Sequence, residues 1–301
     1  MKTSLERLCR NRNLRSHRFV VTAAAIAALL LSCTLHAALP TPLVNLRFSE
    51  NTGVTAANSG SLAGEASLVQ PDGTGLPAFT NNVPTGLYAP AANSSSMDFG
   101  LIAAGQYGRA VDLNTTAGDG SGTLGPLNQF TVCGWLNARD LAVGWGGNRI
   151  AFALDRGDGS GFDLVQQDNG SLRIGINQWP DGANGGGPAS SAGVLKADPQ
   201  AGAANWVFFA VTYDPTLASG NVKYYFGSPQ NLAALDSSHN YKGLDIGLTG
   251  ELPFTGRLTL GNFGDVIEAR NDAGSSRVFR GLMDEIKIYD QALDLVGIQE
   301  A

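Results

Sequence analysis

Two adjacent carboxylates near the end of the chain are the residues best placed to do chemistry. They stand in "FRGLMDEIKIYDQAL", residues 279–293, as Asp284 and Glu285. The stretch alternates as a strand does. Leu282, Asp284, Ile286 and Ile288 fall on one side, and Met283, Glu285, Lys287 and Tyr289 on the other. A carboxylate on an isoleucine face needs compensation if it is buried. It could be half of a catalytic acid pair, a metal or turn ligand, or a structural device that starts the strand. Strand neighbours point to opposite faces, so Asp284 and Glu285 do not share a cleft. No other strand supplies acids at i, i+2 and i+4. Glu285 is most simply paired with a cross-strand Lys or Arg, or solvated.

Nucleophilic sites of the Ser-His or Cys-His kind are nearly excluded by count. His17 and His36 lie in the first 37 residues, which leaves His239 alone in the polar stretch "DSSHNYKG". No G-x-S-x-G elbow occurs. Cys9 and Cys33 also lie in that leading segment, so Cys133 has no disulfide partner and reads as a buried thiol in "FTVCGWLN". A zinc site of several His or Cys ligands is excluded in the same way.

Aromatic residues in Gly-rich loops carry the other chemistry. Trp145 in "AVGWGGN" and Trp179 in "NQWPDGANGG" offer flat apolar faces for a sugar ring, and Asn177, Asp181 and Asn148 are their nearest polar companions. The plainer role for both is to cover the open end of a sandwich. Trp135 and Trp206 lie in strands and read as core.

The elements that must position these residues are short strands. All 39 glycines follow the leading segment and fall between alternating apolar runs, which is strand-and-turn writing. Strands are expected over 43–49, 65–70, 96–99, 109–114, 129–138, 149–155, 162–167, 172–177, 205–214, 221–227 and 257–263, and in the closing stretch. "DNGS" at 168–171 supplies the Asn-Gly of a tight hairpin. Asp294 caps one turn of helix in the tail. Residues 71–95 and 180–193 read as surface insertions. The expected fold is all-β, with two antiparallel sheets packed as one domain over 38–301.

Residues 1–37 read as a secretory signal: Lys2, Arg7, Arg10, Arg12, Arg15 and Arg18 precede the apolar run "FVVTAAAIAALLLSCTL", followed by small residues. Cleavage is expected after Ala37, with a lipoprotein-type cut before Cys33 as the alternative. Removal of that segment takes six of the 20 Lys and Arg and one of the 26 Asp and Glu, which leaves 14 against 25 and a net charge of −11. Such a chain lacks the basic footprint that nucleic acid requires. A secreted, periplasmic or cell-surface location follows, with no integral membrane segment after cleavage.

The order of these parts resembles the laminin-G-like, or concanavalin A-like, jelly-roll domains of secreted bacterial proteins. "LVNLRFSENTGVTAANSGSLAGEASL", "YGRAVDLN", "FTVCGWLNA", "NWVFFAVTYD", "LTLGN" and the closing "FRGLMDEIKIYDQAL" carry the likeness, which spans 43–298. The family's "YVDG" hairpin is "YYFGSPQN" here. The resemblance implies that the closing strand lies near the first. Asp284, Glu50 and Asn58 would then share one calcium ion in an oxygen-only shell. It equally implies lectins, adhesion modules and polysaccharide-cleaving enzymes. Glycosidases of this fold resemble one another in an E-x-D-x-E strand, and "MDEIKIYD" lacks that pattern. The expected function is an exported, non-catalytic, lectin-like module whose partner is glycan or extracellular polysaccharide. The alternatives are a secreted glycoside hydrolase or lyase, or a surface adhesion module with a protein partner.

Overall fold

The computed structural model describes residues 38–62, 64–70, 75–90, 93–101, 108–113, 124–142, 147–154, 160–180, 187–236, 257–262 and 277–301. The expected signal, Trp145, Asp181 and His239 lie outside them. All the strands fall within one compact unit, Pro40–Ala301.

Among the described residues, fifteen strands form two antiparallel sheets. They are β1 Val44–Leu46, β2 Thr55–Ala57, β3 Glu65–Val69, β4 Ala78–Thr80, β5 Ser96–Asp98, β6 Ala110–Asp112, β7 Phe130–Ala138 and β8 Asn148–Leu154. β9 Gly161–Gln166, β10 Leu172–Ile176, β11 Val207–Tyr213, β12 Val222–Ser228, β13 Asn231–Leu235, β14 Thr259–Leu260 and β15 Gly281–Tyr289 follow. The eight-stranded sheet runs β13-β12-β11-β7-β15-β5-β4, with β1 added to β15; the seven-stranded sheet runs β10-β9-β8-β14-β6-β3-β2. Alternate residues of the facing strands fill the space between them: Phe130, Val132 and Leu136 of β7 and Phe209 and Val211 of β11 meet Ile150 of β8, Leu164 of β9 and Ile174 of β10.

β8, β9 and β10 form the expected meander. Gly170 takes φ 75° in the Asn-Gly turn between β9 and β10, a conformation that glycine adopts without a Cβ penalty. β1 pairs with β15 in register Val44 to Ile288, so first and last strands are neighbours as the resemblance implies.

Three strands depart from the sequence reading. β4 lies inside the segment expected to be an insertion, and β2 and β13 were expected as loop. Their sequences, "TAA", "AFT" and "NLAAL", are too short or too rich in Ala and Asn to show a strand alternation, and the sheet edge that each joins supplies the backbone partners. The tail helix α1, Leu295–Glu300, is capped as expected, with Asp294 accepting from Gly297 N–H at 2.8 Å. Among the described residues no helix is long and apolar enough to cross a membrane.

Candidate functional site

β15 does not alternate from end to end. Asp284 lies opposite Trp135 and Lys287 opposite Cys133, so Glu285 and Ile286 together face the single residue Gly134. This is a β-bulge, with Glu285 in the left-handed region at φ 49°. Gly134 permits it, because a Cβ there would come within 2.5 Å of Ile286 Cδ1 and 3.1 Å of two β15 carbonyl oxygens. The extra residue shifts the phase of the strand. Met283, Ile286 and Ile288 point into the core, and Asp284 and Lys287 share the outer face with Trp135 and Cys133. Strict alternation placed Asp284 with the isoleucines; the bulge separates them.

Asp284 is nonetheless wholly buried. Its Oδ1 accepts from Asn93 Nδ2 at 2.6 Å and from Glu285 N–H at 2.9 Å, while Oδ2 is buried with no partner. Asn93 Nδ2 also donates to the Arg47 carbonyl at 2.9 Å, and Ser95 Oγ donates to the Phe48 carbonyl. The 93–95 loop therefore clamps the exit of β1 against the bulge. Burial above all, and then the neighbouring Glu285, push the Asp284 carboxyl up to about 8. It carries its proton at neutral pH.

Glu285, the bulged residue, points to the outer face. It accepts from Arg47 Nε at 2.9 Å and lies 3.7 Å from Lys287 Nζ, which also donates to the Ala301 carbonyl. The expected pairing with a cross-strand Arg is present. These groups line a cavity of about 520 Å³ on the outer face of the eight-stranded sheet. Its floor is Trp135 packed edge-on against Phe208, with ring centres 5.5 Å apart. Tyr88 and Leu232 form its rim, and Gln299 and Ala301, at the end of α1, form one wall. Cys133 lies on the same sheet face but is fully buried, and burial raises its thiol to about 12. It is an inert structural thiol.

Of the loop residues expected to bind sugar, Asn148, Asn177 and Trp179 are described, and each contacts the rest of the fold. Asn148 is fully buried, with Nδ2 donating to the Ala142 carbonyl at 2.9 Å, so no ligand reaches it. Asn177 takes φ 50° and accepts from Gly161 N–H at 3.0 Å, which closes the end of β10 on β9. Trp179 packs on Phe152 at 6.1 Å, with the Arg149 guanidinium 6.0 Å from its ring centre. It is half-buried.

The three expected calcium ligands use different partners. Asn58 Oδ1 accepts from both Asn45 N–H, at 2.8 Å, and Gly60 N–H, at 3.0 Å, which engages both its lone pairs. It holds the second turn to β1 and is not a free oxygen donor. Glu50 Oε1 accepts from Ala57 N–H at 2.8 Å, and its Oε2 is buried without a partner. No group of three or more His, Cys, Asp or Glu able to hold a metal occurs among the described residues. The orphan oxygens of Glu50 and Asp284 are what remains of the expected shell.

No family model matches the chain, and no curated protein matches it. Solved structures do. The binding domain of botulinum neurotoxin DC, solved in complex with SialylT, superposes with a TM-score of 0.50 at 12% identity, over 88% of this chain and 51% of that one. The fold is a jelly-roll β-sandwich. A botulinum neurotoxin type C structure, described as depending on two ganglioside molecules for cell entry, gives 0.48 at 13% identity over 86% and 50%. A heptameric SAP-like pentraxin from Limulus polyphemus gives 0.39 at 12% identity over 59% and 70%. The chain spans about half the length of the neurotoxin domains it matches. Likeness at these identities establishes architecture and nothing about ligand.

The sequence reading missed the cavity because no local pattern announces it. Arg47, Trp135, Phe208 and Lys287 each read as an ordinary strand residue.

Proposed function

We propose that this protein is an exported, non-catalytic module that binds glycan in the cavity on the outer face of the eight-stranded sheet. The cavity itself carries the reading. Its volume falls in the roughly 300–1,000 Å³ range of small-ligand pockets, and it sets an aromatic floor and rim beside amide and charged groups. Aromatic faces suit the apolar side of a pyranose, and the surrounding polar groups suit its hydroxyls. The basic, apolar, small-residue order of residues 1–37 supports export. Glu285 is held in two ion pairs, and the Asp284 carboxyl behind it has no exposed surface, which favours binding over cleavage.

A glycan array followed by titration of the bound members tests the reading. Tyr88 is 40% exposed at the rim, so Tyr88→Ala should leave the fold intact and weaken binding about tenfold or more, as loss of a stacking anchor does. Trp179→Ala is the competing arm, because Trp179 is only half-buried. If only Trp179→Ala weakens binding, the loop site replaces the cavity. Release of reducing sugar that disappears in Glu285→Gln would make the protein an enzyme instead.

A further inference from the structure

The depth at which each charge sits narrows the ligand class, and this step rests on the glycan reading above. The charged side chains that line the cavity are Arg47, Lys287, Glu285 and Glu300. The first three form one cluster of two cations and one carboxylate, so the cluster is positive. Its members lie at different depths. The Glu285 side chain is 6% exposed, that of Lys287 18% and that of Arg47 41%. The carboxylate is at the back, and the arginine is what a ligand meets.

The contact with Glu285 also orients that arginine. Arg47 Nε donates to Glu285 Oε1 at 2.9 Å, which fixes the guanidinium through one of its five N–H donors. A carboxylate on a sugar seated between Tyr88 and the Trp135–Phe208 floor can accept from the exposed part of the guanidinium while Glu285 keeps its bond. A hydrogen bond of that kind, with both partners ionised, is roughly twice as strong as one between neutral groups. Two features oppose an anion, and both are weaker than a direct contact. Glu300 on the tail wall is exposed, so water screens it. The net charge of the whole chain, −6, is spread over its length and screened beyond roughly 8 Å at physiological ionic strength.

We infer that the cavity prefers glycans that carry a carboxylate, such as uronic-acid oligosaccharides, over neutral ones. Arg47 is the residue that selects them, held in place by the buried Glu285 behind it.

The test pairs uronic-acid oligosaccharides with their carboxyl-reduced, neutral counterparts and titrates both against the full chain. Each acidic member should bind about tenfold tighter than its reduced partner, and the gap should shrink between low salt and about 1 M salt. Arg47→Lys, with its fold checked by melting, keeps a cation beside Glu285 but loses the planar fork, and should remove most of the gap. Glu300 is exposed, so Glu300→Gln should fold and widen the gap by about twofold even if the Arg47 variant does not fold. Reduced members that bind the wild type as tightly as the acidic ones would overturn this inference and leave the glycan reading standing. So would an acid preference that a folded Arg47→Lys leaves intact or, with that variant unfolded, one that neither Glu300→Gln nor salt moves. Acidic members that fail to bind while a neutral glycan of the array does bind would also overturn it alone. Binding of no glycan at all would overturn both.

Discussion

Asp163 and Asp284 are both fully buried carboxylates, one in each sheet, and they are compensated in opposite ways. Asp163 on β9 meets Arg149 on β8, whose Nε and Nη2 both donate to its Oδ2, at 3.1 and 2.7 Å. Both side chains have no exposed surface. Asp284 has no such partner, because the nearest guanidinium, Arg47, gives its Nε to Glu285. It relies on one amide side chain and one backbone N–H, and its pKa rises to about 8. One carboxylate is compensated by a bidentate guanidinium; the other is compensated by giving up its charge. The cation that could have served Asp284 serves the cavity instead.

The largest expected effect comes from breaking the pair that depends on charge. Arg149→Met should leave Asp163 buried without its guanidinium and destabilise the fold by about 3–5 kcal/mol, read from urea unfolding. The loss should be accompanied by a change in Trp179 fluorescence, since the Arg149 guanidinium lies over that ring. A loss below about 1 kcal/mol would mean that the ion pair contributes little beyond its own desolvation.

The second prediction goes the other way. In the fold Asp284 keeps its proton up to about pH 8, while an unfolded Asp releases it near 3.9. Between those values the folded state binds the extra proton, so this residue lowers stability as pH rises through the window and contributes no further slope above it. Asp284→Asn keeps the shape and removes the titration. Its melting temperature should exceed that of the wild type, with the advantage growing from pH 5 to 8 and reaching a few kcal/mol at most. A variant that melts lower than the wild type at every pH would show that the ionised carboxylate is needed.

The smallest expected effect concerns calcium. With the Asn58 oxygen engaged by two backbone amides, the shell implied by the family resemblance is reduced to two orphan oxygens. Chelator should therefore leave the melting temperature in place. A bound ion at a hundredfold excess over its dissociation constant would contribute about 2.7 kcal/mol, which a melt resolves easily. A chelator-sensitive melt that Asp284→Asn abolishes would restore the metal and explain the buried Oδ2.

Local sequence was enough to set the architecture. Alternating runs between Gly-rich turns, an Asn-Gly hairpin and an Asp-capped tail helix are written in neighbouring residues, and the sandwich, the meander and the cap are all present. Residues whose environment is decided by their own neighbours, such as Cys133 within "FTVCGWLN", were equally legible. The position of Asp284 was not. One extra residue in β15 reverses which side of the sheet each later side chain faces, and the bulge exists because Gly134 on a strand about 150 positions earlier leaves room for it. The same holds for the cavity. Arg47, Tyr88, Trp135, Phe208 and Glu285 come from separated segments, and the pairing of β11 with β7, β7 with β15 and β15 with β1, the Tyr88 N–H bond to the Pro229 carbonyl and the tail laid along one wall bring them together. The sequence determines strands through short-range periodicity, whereas sites assembled across a sheet depend on register, which no single stretch contains.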